Sequence, residues 1–298
     1  MFYCPELGRF FARDMIRRPA ENPYVYCGSS APNGADPTGL WQENGHFFTV
    51  YMVARSAGMN HKDAYALAYY SQLPDELNRT DAKTKGVEHA TRGLEHLELG
   101  DLAESWRQDV NNYLHSLHGG DIQKRRECLI AMLKDETLKT WERGFVLHAL
   151  GDAFAHTYTE NGQLKAYEWT LGHLKDWQKP DTIRENVSQY NQYVDVLFGV
   201  LGGSDKSSLN PLLAGVAAMN NWRIPGSGPI TVDDENYYMQ SLARLNYPEL
   251  AQELYSPIPP AGSKTDTQEM RLDKRMDNLS PARIRELLDK MKAACDCK

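Results

Sequence analysis

Apolar residues recur along most of this chain at the three-and-four spacing of an α-helix. From Asn44 onward Phe47, Val50, Tyr51 and Ala54 form one stripe of an amphipathic helix, which Gly58 ends. The same periodicity predicts helices over 61–72, 86–117, 121–134, 138–156 and 181–201. PLLAGVAAM predicts a short apolar helix between the loops GGSDKSSLN and RIPGSGPITVDD, and further helices are predicted over 233–242 and 247–254. SPIPPAGSKTDTQ reads as a linker. A last helix over 281–294 has Ser280 as its cap and Pro281 in its first turn, with Ile284, Leu287, Leu288 and Met291 on one stripe that needs a surface to pack on. No internal repeat is visible.

The first forty residues have a different texture. Gly, Pro, Asn and aromatic residues dominate them, which predicts short extended pieces punctuated by turns, too few to fold alone. The expected fold is therefore mainly α, a helical bundle preceded by a short irregular or β segment. Three parts are expected: residues 1–40, a helical domain over 41–202, and a helical extension with linkers over 203–298.

With 298 residues, 41% of them hydrophobic, the chain can bury a sizeable core, which excludes disorder as its main state. Its 33 Lys and Arg against 40 Asp and Glu leave a net charge of −7. That balance argues against binding polyanions through surface charge, so any phosphate chemistry must be local. No apolar run approaches the roughly 18 residues of a spanning helix, and MFYCPELGRFF lacks the pattern of a classical export signal. A soluble chain is expected. Five cysteines are too sparse for a disulfide framework. Cys128 reads as a core residue on a helix face, Cys4 and Cys27 can meet if their segments pair, and the Cys295-Asp296-Cys297 tail reads as free thiols more readily than as a metal motif.

The strongest chemical signal is GFVLHALGDAFAHTYTENG, where His148, Asp152 and His156 stand four apart. Residues four apart on a helix are neighbours about 6 Å apart, while eight residues rise about 12 Å. His148 and His156 therefore cannot share an ion, although each can lie near Asp152, and the spacing suggests more than one metal with Asp152 between. The flanking Phe145, Val146, Leu147, Leu150 and Phe154 make the helix a buried one, and buried histidines and carboxylates need partners. Satisfied core histidines are the alternative reading.

Two family resemblances bear on function. Residues Tyr3, Pro5, Gly8, Arg9, Phe10, Asp14, Asn22, Tyr24, Tyr26, Pro32 and Asn33, and the closing Asp36-Pro37-Thr38-Gly39-Leu40, make the N-terminal segment resemble the end of the RHS repeat-associated core. That core is a secreted shell carrying a variable C-terminal toxin, and the resemblance implies cleavage between Leu40 and Trp41. It also implies delivery into a target cell by a specialised secretion apparatus, and a cognate immunity protein as partner.

The remainder resembles the zinc-dependent phospholipase C and single-strand nuclease superfamily. WQENGHFF supplies Trp41, Gly45 and His46 at the spacing of that family's N-terminus, and Asp75, His115, His148, Asp152, His156, His173 and Asp181 follow in family order. His118 and His96 are alternatives to His115, and Asp176 to Asp181, while His61 and His89 read as surface residues. The resemblance implies an all-helical fold holding up to three Zn²⁺, with the amine and carbonyl of Trp41 among the ligands once Leu40 is cut away. It implies hydrolysis of a phosphodiester P–O bond in a phospholipid or a nucleic acid, with Asp75 and Asp152 the catalytic carboxylates. Three zinc ions and three aspartates would leave the site at a formal charge of about +3, enough to draw a phosphodiester into an acidic protein. A non-catalytic membrane-active or protein-binding toxin with structural histidines is the rival from another class. A zinc peptidase is weaker still, since H-E-x-x-H is absent.

Overall fold

A π-helical turn over Asn44–Phe48 opens the helical part of the molecule and runs straight into α1 (Thr49–Ser56). Gly58, at φ 91°, ends this helix as its position predicts, and α2 (His61–Glu76) follows. The computed structural model describes residues 3–4, 9–10, 44–76, 80, 105–168, 182–219, 232–250 and 279–296. The chain divides between Pro37 and Thr38 into two compact units. In the first, β1 (Tyr3–Cys4) pairs antiparallel with β2 (Arg9–Phe10), Tyr3 opposite Phe10.

In the second unit α2 runs one turn beyond the predicted end at 72, passing through Pro74, whose missing N–H removes a single ladder bond in the last turn. Of the predicted 86–117 helix the described part is residues 105–109, which are helical, and a second π-helical turn over Val110–Leu114. The helix stops three residues early, at Leu114, because Ser116 adopts a left-handed backbone, φ 52°. Asp121 then caps α3 (Ile122–Leu133), accepting from the N–H groups of Gln123 and Lys124 at 2.9 and 3.3 Å. At the start of α4 (Thr140–Ala155) the Glu142 carboxylate accepts the Lys139 N–H at 2.9 Å.

A β-hairpin of β3 (Thr157–Glu160) and β4 (Gln163–Ala166) follows, which the helical pattern did not predict. Its two-residue turn is Asn161-Gly162, both at positive φ, the chemistry a tight hairpin requires. Beyond it come α5 (Val187–Val200), α6 (Asn210–Met219), α7 (Val232–Asn246), a helical stretch at 248–250, and α8 (Pro281–Asp296). The expected start of α5 at 181 is replaced by a 3₁₀ turn over Arg184–Asn186.

Helix α4 is apolar or small on almost every side, so it can only lie inside, and it is buried along nearly its whole length. The others pack around it. Gly144 lets the α2 backbone lie directly on α4, where a Cβ would stand 2.8 Å from the Tyr70 carbonyl carbon. Arg126 of α3 donates to the Ala153 carbonyl at 2.9 Å and to Gln189 Oε1 of α5 at 2.8 Å, with its guanidinium 3.8 Å above the Phe154 ring. Residues beyond 203 belong to the same unit: Asn236 of α7 accepts the Asn44 N–H at 2.9 Å, and the Tyr247 hydroxyl hydrogen-bonds Ser56 at 3.0 Å.

The stripe Ile284, Leu287, Leu288 and Met291 of α8 is buried, as the pattern requires. Two cysteine readings are corrected here. Cys128 is a core residue, but it is also bonded to Cys295 in a disulfide with a Cα–Cα distance of 5.4 Å, so Cys295 is no free thiol. Cys27 and Cys297 lie outside the described residues. Among the described residues no helix is long and apolar enough to cross a membrane.

Candidate metal centre

Two π-helical turns and the buried helix α4 bring the predicted ligands together. π-Turns shift the helical register by one residue and concentrate at functional sites. The first contains His46, and the second ends at Leu114, so that the His115 N–H closes a wide loop onto the Val110 carbonyl at 3.1 Å. Ser116 then donates its hydroxyl to the Ala149 carbonyl of α4 at 2.8 Å, pinning His115 beside that helix. From α4 itself come His148 and Asp152, and from the last turn of α2 comes Asp75.

Asp152 stands at the centre. Its Oδ1 is 3.0 Å from His46 Nε2, and its Oδ2 is 3.1 Å from His115 Nδ1 and 3.3 Å from His148 Nε2. Asp75 closes the cluster from the side, its Oδ1 3.6 Å from His148 Nε2 and 3.8 Å from His115 Nδ1, its Oδ2 4.0 Å from His46 Nε2. The His46 and His148 rings lie against each other with centroids 4.0 Å apart. The side chains of His46, His115, His148 and Asp152 have no exposed surface, while that of Asp75 is 10% exposed, so the centre opens at Asp75.

Three histidines of the site use one ring nitrogen on a backbone carbonyl. His148 Nδ1 donates to the Ser71 oxygen at 2.8 Å, His115 Nε2 to the Thr80 oxygen at 2.7 Å, and His156 Nδ1 to the His115 oxygen at 3.2 Å. Such bonds fix ring orientation, which is how metal-binding imidazoles are held. Burial opposes the charge of Asp152, but His148, His156, His46 and the His115 bond hold its carboxyl well below the usual carboxylate range. Burial disfavours the charged form of His115 too, yet the bond to Asp152, with the charges of Asp152 and Asp75, pushes it up to about 9. His148 is driven the other way, by burial first and then by His46.

The donor set fits a cation. His148 Nε2 and His115 Nδ1 face each other at 3.2 Å, and one proton at most can lie between them. Two groups of three donors could each hold an ion, His46 with His148 and Asp152, and Asp75 with His115 and His148. A ring nitrogen binds one ion, so the groups cannot both use His148. Asp152 offers Oδ1 on the His46 side and Oδ2 on the side of His115 and His148.

The structure thus brings together His46, Asp75, His115, His148 and Asp152, with His156 beside Asp152. It selects His115 over His118, whose Nδ1 instead accepts the Gly120 N–H at 3.0 Å and whose pKa falls to about 4 through burial and then Arg125. Leu40, Trp41, His89, His96, His173, Asp176 and Asp181 lie outside the described residues. His61 is half-buried, with its Nδ1 2.8 Å from the Tyr51 hydroxyl. Sequence reasoning missed Gly151, where a Cβ would stand 3.1 Å from His46 Cε1 and 3.3 Å from the Tyr193 hydroxyl. Its signal was there: Gly144 and Gly151 are seven apart, on one face of a helix with no other use for glycine.

Residues 41–118 match a family of unknown function, DUF6765. The matched stretch includes His46, Asp75 and His115. Neither the curated proteins nor the solved structures hold a match to the chain.

Proposed function

We propose that this protein is a zinc-dependent phosphodiester hydrolase acting as a toxin effector. The observation that carries the proposal is Asp152, buried with both carboxylate oxygens faced by three imidazole nitrogens within 3.3 Å. His/Asp donor sets of this kind suit Zn²⁺, which when bound lowers the pKa of water and neutralises charge developing on a phosphoryl oxygen. The chain's own groups would do the rest. Asp75, the cluster member with exposed surface, orients the attacking water and accepts its proton where substrate enters. Asp152 holds the two metal positions in register, and the Ser71, Thr80 and His115 carbonyls keep the rings of His148, His115 and His156 oriented.

The resemblance to the phospholipase C and nuclease superfamily supports phospholipid or nucleic acid as substrate, and the RHS resemblance supports release of the toxin by cleavage after Leu40, with an immunity protein to restrain it. The test is Asp152→Asn, close in shape but without the charge. Wild type loaded with zinc should hydrolyse bis(p-nitrophenyl) phosphate, and then either phosphatidylcholine vesicles or single-stranded nucleic acid. The variant should keep its helical circular dichroism and lose bound zinc and hydrolysis together. Zinc-loaded wild type inert on all three substrates, or a variant as toxic as wild type, would move the reading to the non-catalytic toxin.

A further inference from the structure

Among the described residues a single disulfide joins Cys128 of α3 to Cys295 in the last turn of α8, across 167 residues of chain. We infer that this bond is a redox-operated clamp on the arm that delivers His115: formed, it holds α8 against that arm, and reduced, it lets the arm loosen. The consequence for metal rests on the reading of the site given above. The consequence for the arm does not.

Helix α8 touches the arm at several points. Asp109, the residue before the second π-turn, takes Arg285 and, at 3.2 Å, Lys292; Tyr113 inside the turn donates to Asp296 beside the disulfide. The Arg285 guanidinium also lies 4.6 Å from the Trp106 ring centroid. The next residue after the π-turn is His115, so whatever steadies 105–114 steadies a metal ligand. These non-covalent ties are weak by nature, since the Lys292 side chain is 51% exposed and the Arg285 side chain 30%, where water screens an ion pair. The apolar stripe of α8 ends at Met291, and beyond it the disulfide ties the last turn of the helix to α3.

The bond is also reachable. Cys128 is buried, but Cys295 is half-buried in the last turn of its helix, next to the exposed Asp296, and this is the side from which a reductant would approach. A water-soluble phosphine attacks Sγ of Cys295 and breaks the S–S bond. Cys128 leaves as a thiolate and takes a proton from water, and water then releases the Cys295 thiol while the phosphorus, having supplied two electrons, becomes phosphine oxide. A cellular dithiol does the same and is oxidised to its own disulfide. The centre is therefore steady in an oxidising compartment and relaxed in a reducing one.

Hydrogen exchange and zinc release on the full chain test this. The folded protein is compared before and after tris(2-carboxyethyl)phosphine, with reduction confirmed by thiol titration, and with Cys295→Ser without reductant. Exchange in residues 105–117 and 279–296 should quicken about ten-fold on reduction. Zinc transfer to 4-(2-pyridylazo)resorcinol should quicken by about the same factor, and Cys295→Ser should match the reduced protein with no further response to phosphine. Unchanged exchange in 105–117 after complete reduction overturns the clamp, as does a Cys295→Ser protein with wild-type exchange there. If the oxidised chain takes up no zinc, the metal reading fails instead, and exchange alone decides the clamp.

Discussion

His148 Nδ1 meets the Ser71 carbonyl at 2.8 Å because residue 144, one turn earlier on α4, is glycine. Any side chain there would push α2 away and take the carbonyl with it. Ala in place of Gly normally favours a helix by up to about 1 kcal/mol. Here the sign reverses, because the new methyl meets the Tyr70 backbone rather than a flexible side-chain tip. Gly144→Ala should lower the free energy of unfolding in urea by about 1–3 kcal/mol and weaken zinc binding about 10- to 100-fold in a chelator competition. A more stable variant would show that the two helices are not in backbone contact.

Gly151 plays the corresponding part for His46. A methyl there lies 3.1–3.3 Å from the His46 ring and the Tyr193 hydroxyl, tight enough that the ring must give by a few tenths of an ångström. The helix itself can accept alanine, so the fold should survive. We expect Gly151→Ala to unfold within about 1 kcal/mol of wild type yet bind less zinc, the loss falling on the His46 side. Native mass spectrometry at limiting free zinc reads it as a shift toward the species with one ion fewer.

The helices and the His148, Asp152, His156 group were legible in the sequence because both depend on contacts three or four residues apart, whereas His46, Asp75 and His115 were named only through the family resemblance. His148, Asp152 and His156 could be grouped because an α-helix fixes their spacing. The carbonyls of Ser71 and Thr80 could not, since a backbone oxygen looks alike at every position and only the packing of α2 on α4 chooses one. The Cys128–Cys295 bond closes over 167 residues, a distance at which no periodicity speaks. The hairpin at 157–166 is a different case. Asn161-Gly162 and the alternation on either side of it carry the hairpin signal, but the helical periodicity ends at 156 and by itself assigns nothing to 157–166.

A bound ion should be felt in the stability of the whole unit, because α2, α4 and the two π-turns all contribute donors. Ligand that binds only the folded state adds RT ln(1 + [L]/Kd), about 2.7 kcal/mol at a hundred times Kd. Zinc should therefore raise the unfolding temperature, and excess EDTA should remove the increment. Asp152→Asn should show neither response. A zinc-induced rise of wild-type size in that variant would locate the ion elsewhere.

Glu235 gives the molecule a pH dependence of its own, away from the metal donors. On α7 it is fully buried and accepts the N–H groups of Ile183 and Arg184 at 2.8 and 3.3 Å. Burial nonetheless outweighs those bonds and the neighbouring Arg184 charge, with Glu185 adding repulsion, and raises its pKa from 4.5 to about 7. Between those two values the folded chain keeps a proton that the unfolded chain releases, so stability from this group is fully present below 4.5 and is lost as pH rises through 7. The full span corresponds to about 3 kcal/mol. Urea unfolding at pH 5 and pH 8 should show that loss in wild type, and Glu235→Gln, which cannot ionise, should remove most of the difference between the two pH values. A wild type equally stable at both, or a Gln variant with the same slope, would mean that the carboxylate is ionised in its pocket throughout and that the backbone donors, not burial, set its charge.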